Sequence, residues 1–141
     1  MRSLVVIFVT VLFLVTSCCK VGCIYQSMRI HFDGYAWEEL DSTLIKKYEP
    51  NTNFTTLIDS FYRNSFSTAG DGVMFLDDAI HKIDLSKDYQ VVVRVTNRTY
   101  NISSITTTGF QCPCETRRGK QIDSYVLDGV RHFQEEVHLK K

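Results

Sequence analysis

The chain has 141 residues, and 16 Lys plus Arg balance 16 Asp plus Glu to a formal charge of zero. That balance excludes a strongly basic nucleic-acid binder and a polybasic membrane binder. Hydrophobic residues make up 44% beside only seven Gly and two Pro, which excludes a disordered or low-complexity chain and predicts one globular domain.

Arg2 precedes an apolar run from Leu4 to Val15, and Thr16-Ser17 follow it. One charge, a short apolar core and a small-residue exit are the three parts of a secretory signal peptide. Residues 1–17 are therefore expected to be removed, leaving residues 18–141 as a single secreted domain. The 12-residue run falls short of the ~20 apolar residues that a spanning helix needs. Val15-Thr16-Ser17-Cys18 also reads as a bacterial lipobox. Against that stand three N-x-Ser/Thr sequons, at Asn53, Asn97 and Asn101, in a chain with five Asn in all. They favour the secretory pathway of a eukaryotic host and a eukaryotic or viral glycoprotein.

The cysteines fall into two groups, Cys18, Cys19 and Cys23 at the front and Cys112 and Cys114 far behind. All five are disulfide candidates. Cys112 and Cys114 flank Pro113, and so tight a ring strains the disulfide dihedral, so each is expected to pair with the front group. Cleavage after Ser17 would leave an odd thiol for a bridge to another chain, whereas cleavage after Cys18 would leave four cysteines. Adjacent cysteines near a mature N-terminus also suggest a chemokine, but after Cys23 no further Cys follows until Cys112. An oxidising compartment favours disulfides over a zinc site built from these thiols.

Residues 24–33 alternate loosely through Ile24, Met28, Ile30 and Phe32, as an extended arm or a first strand, and Asp33-Gly34 ends them. From Tyr35 to Tyr48, Trp37, Leu40, Leu44, Ile45 and Tyr48 recur at steps of three and four, which predicts a helix closed by Pro50. Phe54, Leu57, Ile58, Phe61 and Tyr62 repeat that spacing and predict a second helix, with Thr52 as N-cap. Ser67 to Gly72 reads as a loop. A third helix follows through Val73, Leu76, Ile80 and Ile83.

Period two then takes over. Tyr89–Val95 and Thr99–Thr106 are β-branched and aromatic, and a two-residue hairpin turn at Asn97-Arg98 is expected to join them. Residues 122–139 fit two patterns. Ile122, Val126, Val130, Phe133 and Val137 fit a helix face, while Asp128-Gly129 between apolar flanks fits a second hairpin. The expected class is α+β, with N-terminal amphipathic helices packed on a C-terminal β-hairpin or small antiparallel sheet.

Under the zero total, residues 24–88 hold six basic and eleven acidic side chains, a net of −5, and residues 89–141 hold eight and five, a net of +3. The basic excess gathers at Arg117-Arg118-Gly119-Lys120 and Lys140-Lys141. Such runs are solvated loops or steer an acidic partner or a sulfated glycan.

No nucleophile elbow, P-loop, dinucleotide fingerprint or H-E-x-x-H helix is present. His31, His81, His132 and His138 are scattered along the chain. Asp77-Asp78 and Glu38-Glu39 would point to different sides of a helix, so neither makes an acid/base dyad. No catalytic, cofactor-binding or metal-ligating residue is assigned, and a non-enzyme is expected.

One resemblance stands beside this reading. His31-Phe32, Leu57-Ile58-Asp59, Ala69-Gly70-Asp71-Gly72 and the stretch Phe75-Leu76-Asp77-Asp78-Ala79-Ile80-His81-Lys82-Ile83, with the apolar run before Arg94, resemble the smallest accessory subunits of the cytomegalovirus pentameric entry complex. The likeness spans about residues 30–100. It implies a soluble glycoprotein that assembles with a glycoprotein H–glycoprotein L heterodimer and further accessory subunits, reaches the virion surface, engages a host receptor and sets cell tropism. No cofactor and no direct membrane insertion are implied. The paired Cys18-Cys19, Cys112-Pro113-Cys114 and the three sequons do not map onto those subunits, and no functional residue is carried over. The alternative is a secreted immune modulator, a cytokine or chemokine binder, acting alone.

Overall fold

The computed structural model describes residues 28–63, 67–68, 74–76, 83–111 and 118–141. The chain divides into two compact units, residues 27–108 with 121–141, and residues 1–26 with 109–120. Of the smaller unit, the described residues are 109–111 and 118–120, all of them in strands. The segment expected as a signal peptide, residues 1–17, and all five cysteines lie outside the described residues.

The described residues form ten strands and one four-residue helix. In chain order these are β1 (Ile30–Asp33), α1 (Trp37–Leu40), β2 (Thr43–Tyr48), β3 (Leu57–Arg63), β4 (Ser67–Thr68) and β5 (Met74–Leu76). Then come β6 (Asp88–Val93), β7 (Arg98–Gln111), β8 (Arg118–Leu127), β9 (Val130–His132) and β10 (Val137–Lys140). One sheet runs β10-β1-β5-β4 and the other β3-β2-β6-β7-β8-β9. The described pairings are antiparallel except β1 with β10, which is parallel and joins Ile30 to Val137 and His31 to His138.

One core serves both sheets. Ile30 and Phe32 of β1 and Val137 and Leu139 of β10 cluster with Ile45, Tyr89, Val91, Val93, Tyr100, Ile102, Ile122 and Tyr125 of the larger sheet. Strand alternation explains which side chains enter it. In β1 and β10 the even step buries Ile30, Phe32, Val137 and Leu139 and turns His31, Asp33 and His138 outward.

The expected α+β arrangement is therefore corrected to a β-sheet domain. The helix expected over 35–48 stops after one turn, because Ser42 takes φ +61° and the Thr43 hydroxyl donates to Leu40 O at 2.7 Å. Its apolar spacing came from three sources. Leu40 belongs to α1, Thr43 and Ile45 face the core, and Leu44 and Tyr48 lie on the opposite face of β2. Tyr48 is buried there beside Phe54, whose ring meets it edge-on at 5.5 Å. Both faces of β2 are partly covered, so apolar residues appear at mixed steps of one, three and four.

The second expected helix, over 53–62, fails for a backbone reason. Asn51, Asn53 and Phe54 all have positive φ, at +61°, +50° and +58°, and an α-helix admits no such residue. The chain turns there and returns as β3. Lys47 faces Asp59 while Tyr48 faces Leu57, so Ile58 is an extra residue in the ladder, and this bulge shifts the alternation that would have marked a strand. Within the third expected helix, Met74–Leu76 are β5 and pair with β1. The rest of that helix, apart from Ile83, lies outside the described residues.

The expected strands are present. The two-residue turn expected at Asn97-Arg98 is corrected, because Arg98 already pairs with Val93 in the ladder. β6 and β7 join through a four-residue turn, Arg94–Asn97, closed by Asn97 N donating to Arg94 O at 3.1 Å. Asn97 takes φ +53°, as an Asn at a turn can. In the C-terminal stretch the hairpin prevails. Asp128 and Gly129 both have positive φ, at +48° and +86°, the pair of left-handed residues that a two-residue hairpin turn requires.

Candidate functional site

Four strands end the two sheets, β4 and β10 in one and β3 and β9 in the other. An unpaired edge is a row of free backbone donors and acceptors, and length decides how well it can template another strand. β4 has two residues and β9 has three. At β10, tyrosines take up the backbone. Tyr125 donates its hydroxyl to Glu136 O at 3.0 Å, and Tyr100 donates to Lys140 O at 2.6 Å. Burial raises the Tyr125 phenol above its ordinary range. Burial, and then the hydrogen bond shared with Tyr35, does the same to Tyr100, so both hydroxyls stay protonated.

β3 differs from the other three. It has seven residues and carries Leu57, Ile58 and Tyr62 at 52%, 43% and 57% exposure. Leu57 stands opposite Tyr48, and Tyr62 opposite Leu44, which in turn faces Val92. An apolar strip therefore leads from the edge across the outer face of the sheet. Arg94 lies over the Tyr62 ring at 4.9 Å, which holds that ring in place through a cation–π contact.

The three sequons occupy different settings. Asn53 and Asn97 are exposed residues in turns with positive φ. Asn101 lies within β7, and its amide is engaged on both sides. Gln90 Nε2 donates to its Oδ1 at 2.8 Å, and its Nδ2 donates to Asp128 Oδ1 at 3.1 Å. The disulfide candidates Cys18, Cys19, Cys23, Cys112 and Cys114 lie outside the described residues, as do His81, Asp77 and Asp78.

The remaining histidines are not scattered in space. His31 and His138 stack at 4.7 Å between ring centroids with 12° between planes. His31 Nε2 is 3.0 Å from Glu136 Oε2, and His138 Nδ1 is 3.1 Å from Asp33 Oδ2. His138 also lines a cavity of about 500 Å³ with Asp33, Arg98, Tyr100, Tyr125 and His132. A reading that leaves the four histidines scattered along the chain misses both the cavity shared by His132 and His138 and the pairing of His31 with His138. The available signal was His31-x-Asp33 and Glu136-x-His138, polar residues at period two within short apolar strands. Nothing local says that the two strands are neighbours.

Compared with known protein families, characterised proteins and solved structures, the chain matches none of them.

Proposed function

We propose that the chain is a soluble, secreted viral glycoprotein that works as a non-enzymatic subunit of an envelope glycoprotein complex, in receptor engagement, host-cell entry and tropism. The observation that carries the binding role is β3, a seven-residue sheet edge bearing exposed Leu57, Ile58 and Tyr62. A strand of a partner glycoprotein adding to that edge would satisfy the backbone and cover the apolar strip. The signal-type leader, the sequons and the resemblance to accessory subunits of the cytomegalovirus complex support the assignment to an envelope assembly. The resembling segment Leu57-Ile58-Asp59 lies on this edge. Attachment to the virion would come through other subunits of glycoprotein H–glycoprotein L type.

The test is co-purification. The chain is expected with the other envelope glycoproteins in virions, and poor yield or aggregation is expected when it is expressed alone. Ile58→Lys with Tyr62→Lys puts two charges on the edge, which natural sheets use to repel added strands. That variant should fold, since both side chains are exposed, yet fail to assemble. A chain found only free in the medium would instead favour the lone immune modulator, and unchanged assembly of the double variant would remove β3 as the interface.

A further inference from the structure

We propose that His31, Glu136 and His138 form a binding site for a divalent transition-metal ion of the zinc class. This rests on the β1–β10 geometry and is independent of the function proposed above.

The fold assembles the three residues by simple register. The parallel pairing sets His31 opposite His138, and the burial of Ile30, Phe32, Val137 and Leu139 turns both imidazoles to the outer face. Glu136 precedes His138 by two residues and comes to the same side, within 3.0 Å of His31 Nε2. One donor atom from each of the three lies within 4.8 Å of the others. Around a tetrahedral zinc, with bonds of about 2.0–2.2 Å, donor atoms sit roughly 3.3 Å apart. One pair already has that spacing. Because the two imidazoles stack nearly parallel, binding also turns His138 out of that stack, which the 38% and 39% side-chain exposure of Glu136 and His138 allows.

A second feature points the same way. His138 Nδ1 lies 3.1 Å from Asp33 Oδ2. In the tautomer with the proton on Nδ1 the carboxylate accepts it, and the Nε2 lone pair is left as the metal donor. A carboxylate behind a histidine in this manner is the usual outer support of a metal ligand, fixing tautomer and ring orientation. Glu136 is similarly steadied by Arg29, whose Nη1 is 3.4 Å from Oε1, while Oε2 faces His31. Two imidazoles and one carboxylate suit zinc, copper(II) or nickel(II). Calcium and magnesium prefer oxygen donors throughout. Three protein ligands leave a tetrahedral ion one position for water. The bound ion would join β1 to β10, strands far apart in sequence, and so would favour the folded chain over the unfolded one.

Zinc chloride alone, titrated calorimetrically into the full secreted chain with free thiols alkylated, tests the site. One ion per chain is expected, with shifts in the imidazole resonances of His31 and His138. His138→Ala and Glu136→Gln should abolish binding or weaken it at least tenfold while the metal-free melting temperature stays near that of the parent. Asp33→Asn should weaken binding by about 10–100-fold, the usual effect of losing an outer carboxylate. Absence of saturable binding, or binding that survives both His138→Ala and Glu136→Gln, would overturn the assignment and leave the cluster as ion pairs only.

Discussion

Replacing Asp88 with Ala should destabilise the domain more than any other single change to a polar residue of the β2–β6–β7 region. Asp88 opens β6 and is only 4% exposed. Its Oδ2 accepts from Asn51 N at 3.1 Å and its Oδ1 from Ser104 N at 3.2 Å. Both donors belong to residues with positive φ, +61° and +50°, a conformation that costs a non-glycine residue roughly 1–2 kcal/mol. The carboxylate thus clasps two left-handed residues, one in the turn before β3 and one within β7. A hydrogen bond to a charged group contributes about 1.5–3 kcal/mol. The lower end applies here, because both bonds are slightly long and both donor residues are exposed enough for water to replace part of the loss. Two such bonds give about 3 kcal/mol for Asp88→Ala. In a domain of this size that corresponds to a fall in Tm of about 10 °C. Asp88→Asn keeps one acceptor oxygen and should cost about half as much. Thermal and urea unfolding followed by circular dichroism would measure both. An Asp88→Ala protein melting within about 2 °C of the parent would refute the clasp, since the loss is read directly against this scale.

Alkaline pH should loosen the fold through Tyr100 and Tyr125. Their phenols are raised above the ordinary value of 10.0, so the folded chain holds these protons more tightly than the unfolded one. Their contribution is therefore full below pH 10 and lost as the pH climbs beyond it; Tyr100→Phe with Tyr125→Phe should flatten the decline seen in urea midpoints above pH 10. Acid should act through Glu39 and Asp84, held below their ordinary range chiefly by hydrogen bonds from Lys141 and Ser86 respectively. Their stabilisation is present above pH ~4 and fades below it, which the same titration with Glu39→Gln and Asp84→Asn would show. Gly129→Ala should cost about 1–2 kcal/mol from its φ of +86° alone, because no atom stands within 4 Å of the added Cβ. Gly129→Asn should cost less by urea unfolding. Enzymatic deglycosylation followed by mass measurement should find glycans at Asn53 and Asn97 and the lowest occupancy at Asn101, whose amide nitrogen is bonded to Asp128.

The parts of the fold visible in the sequence are those in which one face alone is buried. β6 sends Tyr89, Val91 and Val93 inward and is legible from its β-branched and aromatic run, and Asp128-Gly129 states its turn chemistry outright. The helices expected over 35–48 and 53–62 failed where that condition fails. In β2 both faces carry apolar residues, Ile45 toward the core and Tyr48 under Phe54. β3 has an extra residue at Ile58 and exposes most of its apolar side chains. A strand with two partly covered faces and a strand with a bulge both yield steps of three and four, and a helix template accepts those steps equally well. Of the left-handed residues that forbid these helices, Ser42 and Phe54 are not types that announce positive φ, whereas Asn51 and Asn53 are, and that turn signal lay within reach of the sequence.

The same distinction separates the two surfaces of interest. The β3 edge was half legible, since Leu57, Ile58 and Tyr62 were recognised as apolar and grouped together, but a helical reading placed them on an inward stripe. Only the strand assignment turns them into an open edge. The His31–His138 cluster was legible only as two separate polar pairs, His31-x-Asp33 and Glu136-x-His138, because their meeting is a product of topology. β10 lies parallel to β1, a pairing that requires a crossover and that no local pattern encodes. The core side of these strands is strictly apolar, so the histidines and Asp33 must share the outer face once the strands pair. Their juxtaposition follows from register, and one residue of slip would send His138 inward and Leu139 out. The burial of Val137 and Leu139 thus fixes the position of the polar cluster. Substituting the core residues of β10 should therefore disturb the histidine pair, read as shifts in the imidazole resonances of His31 and His138.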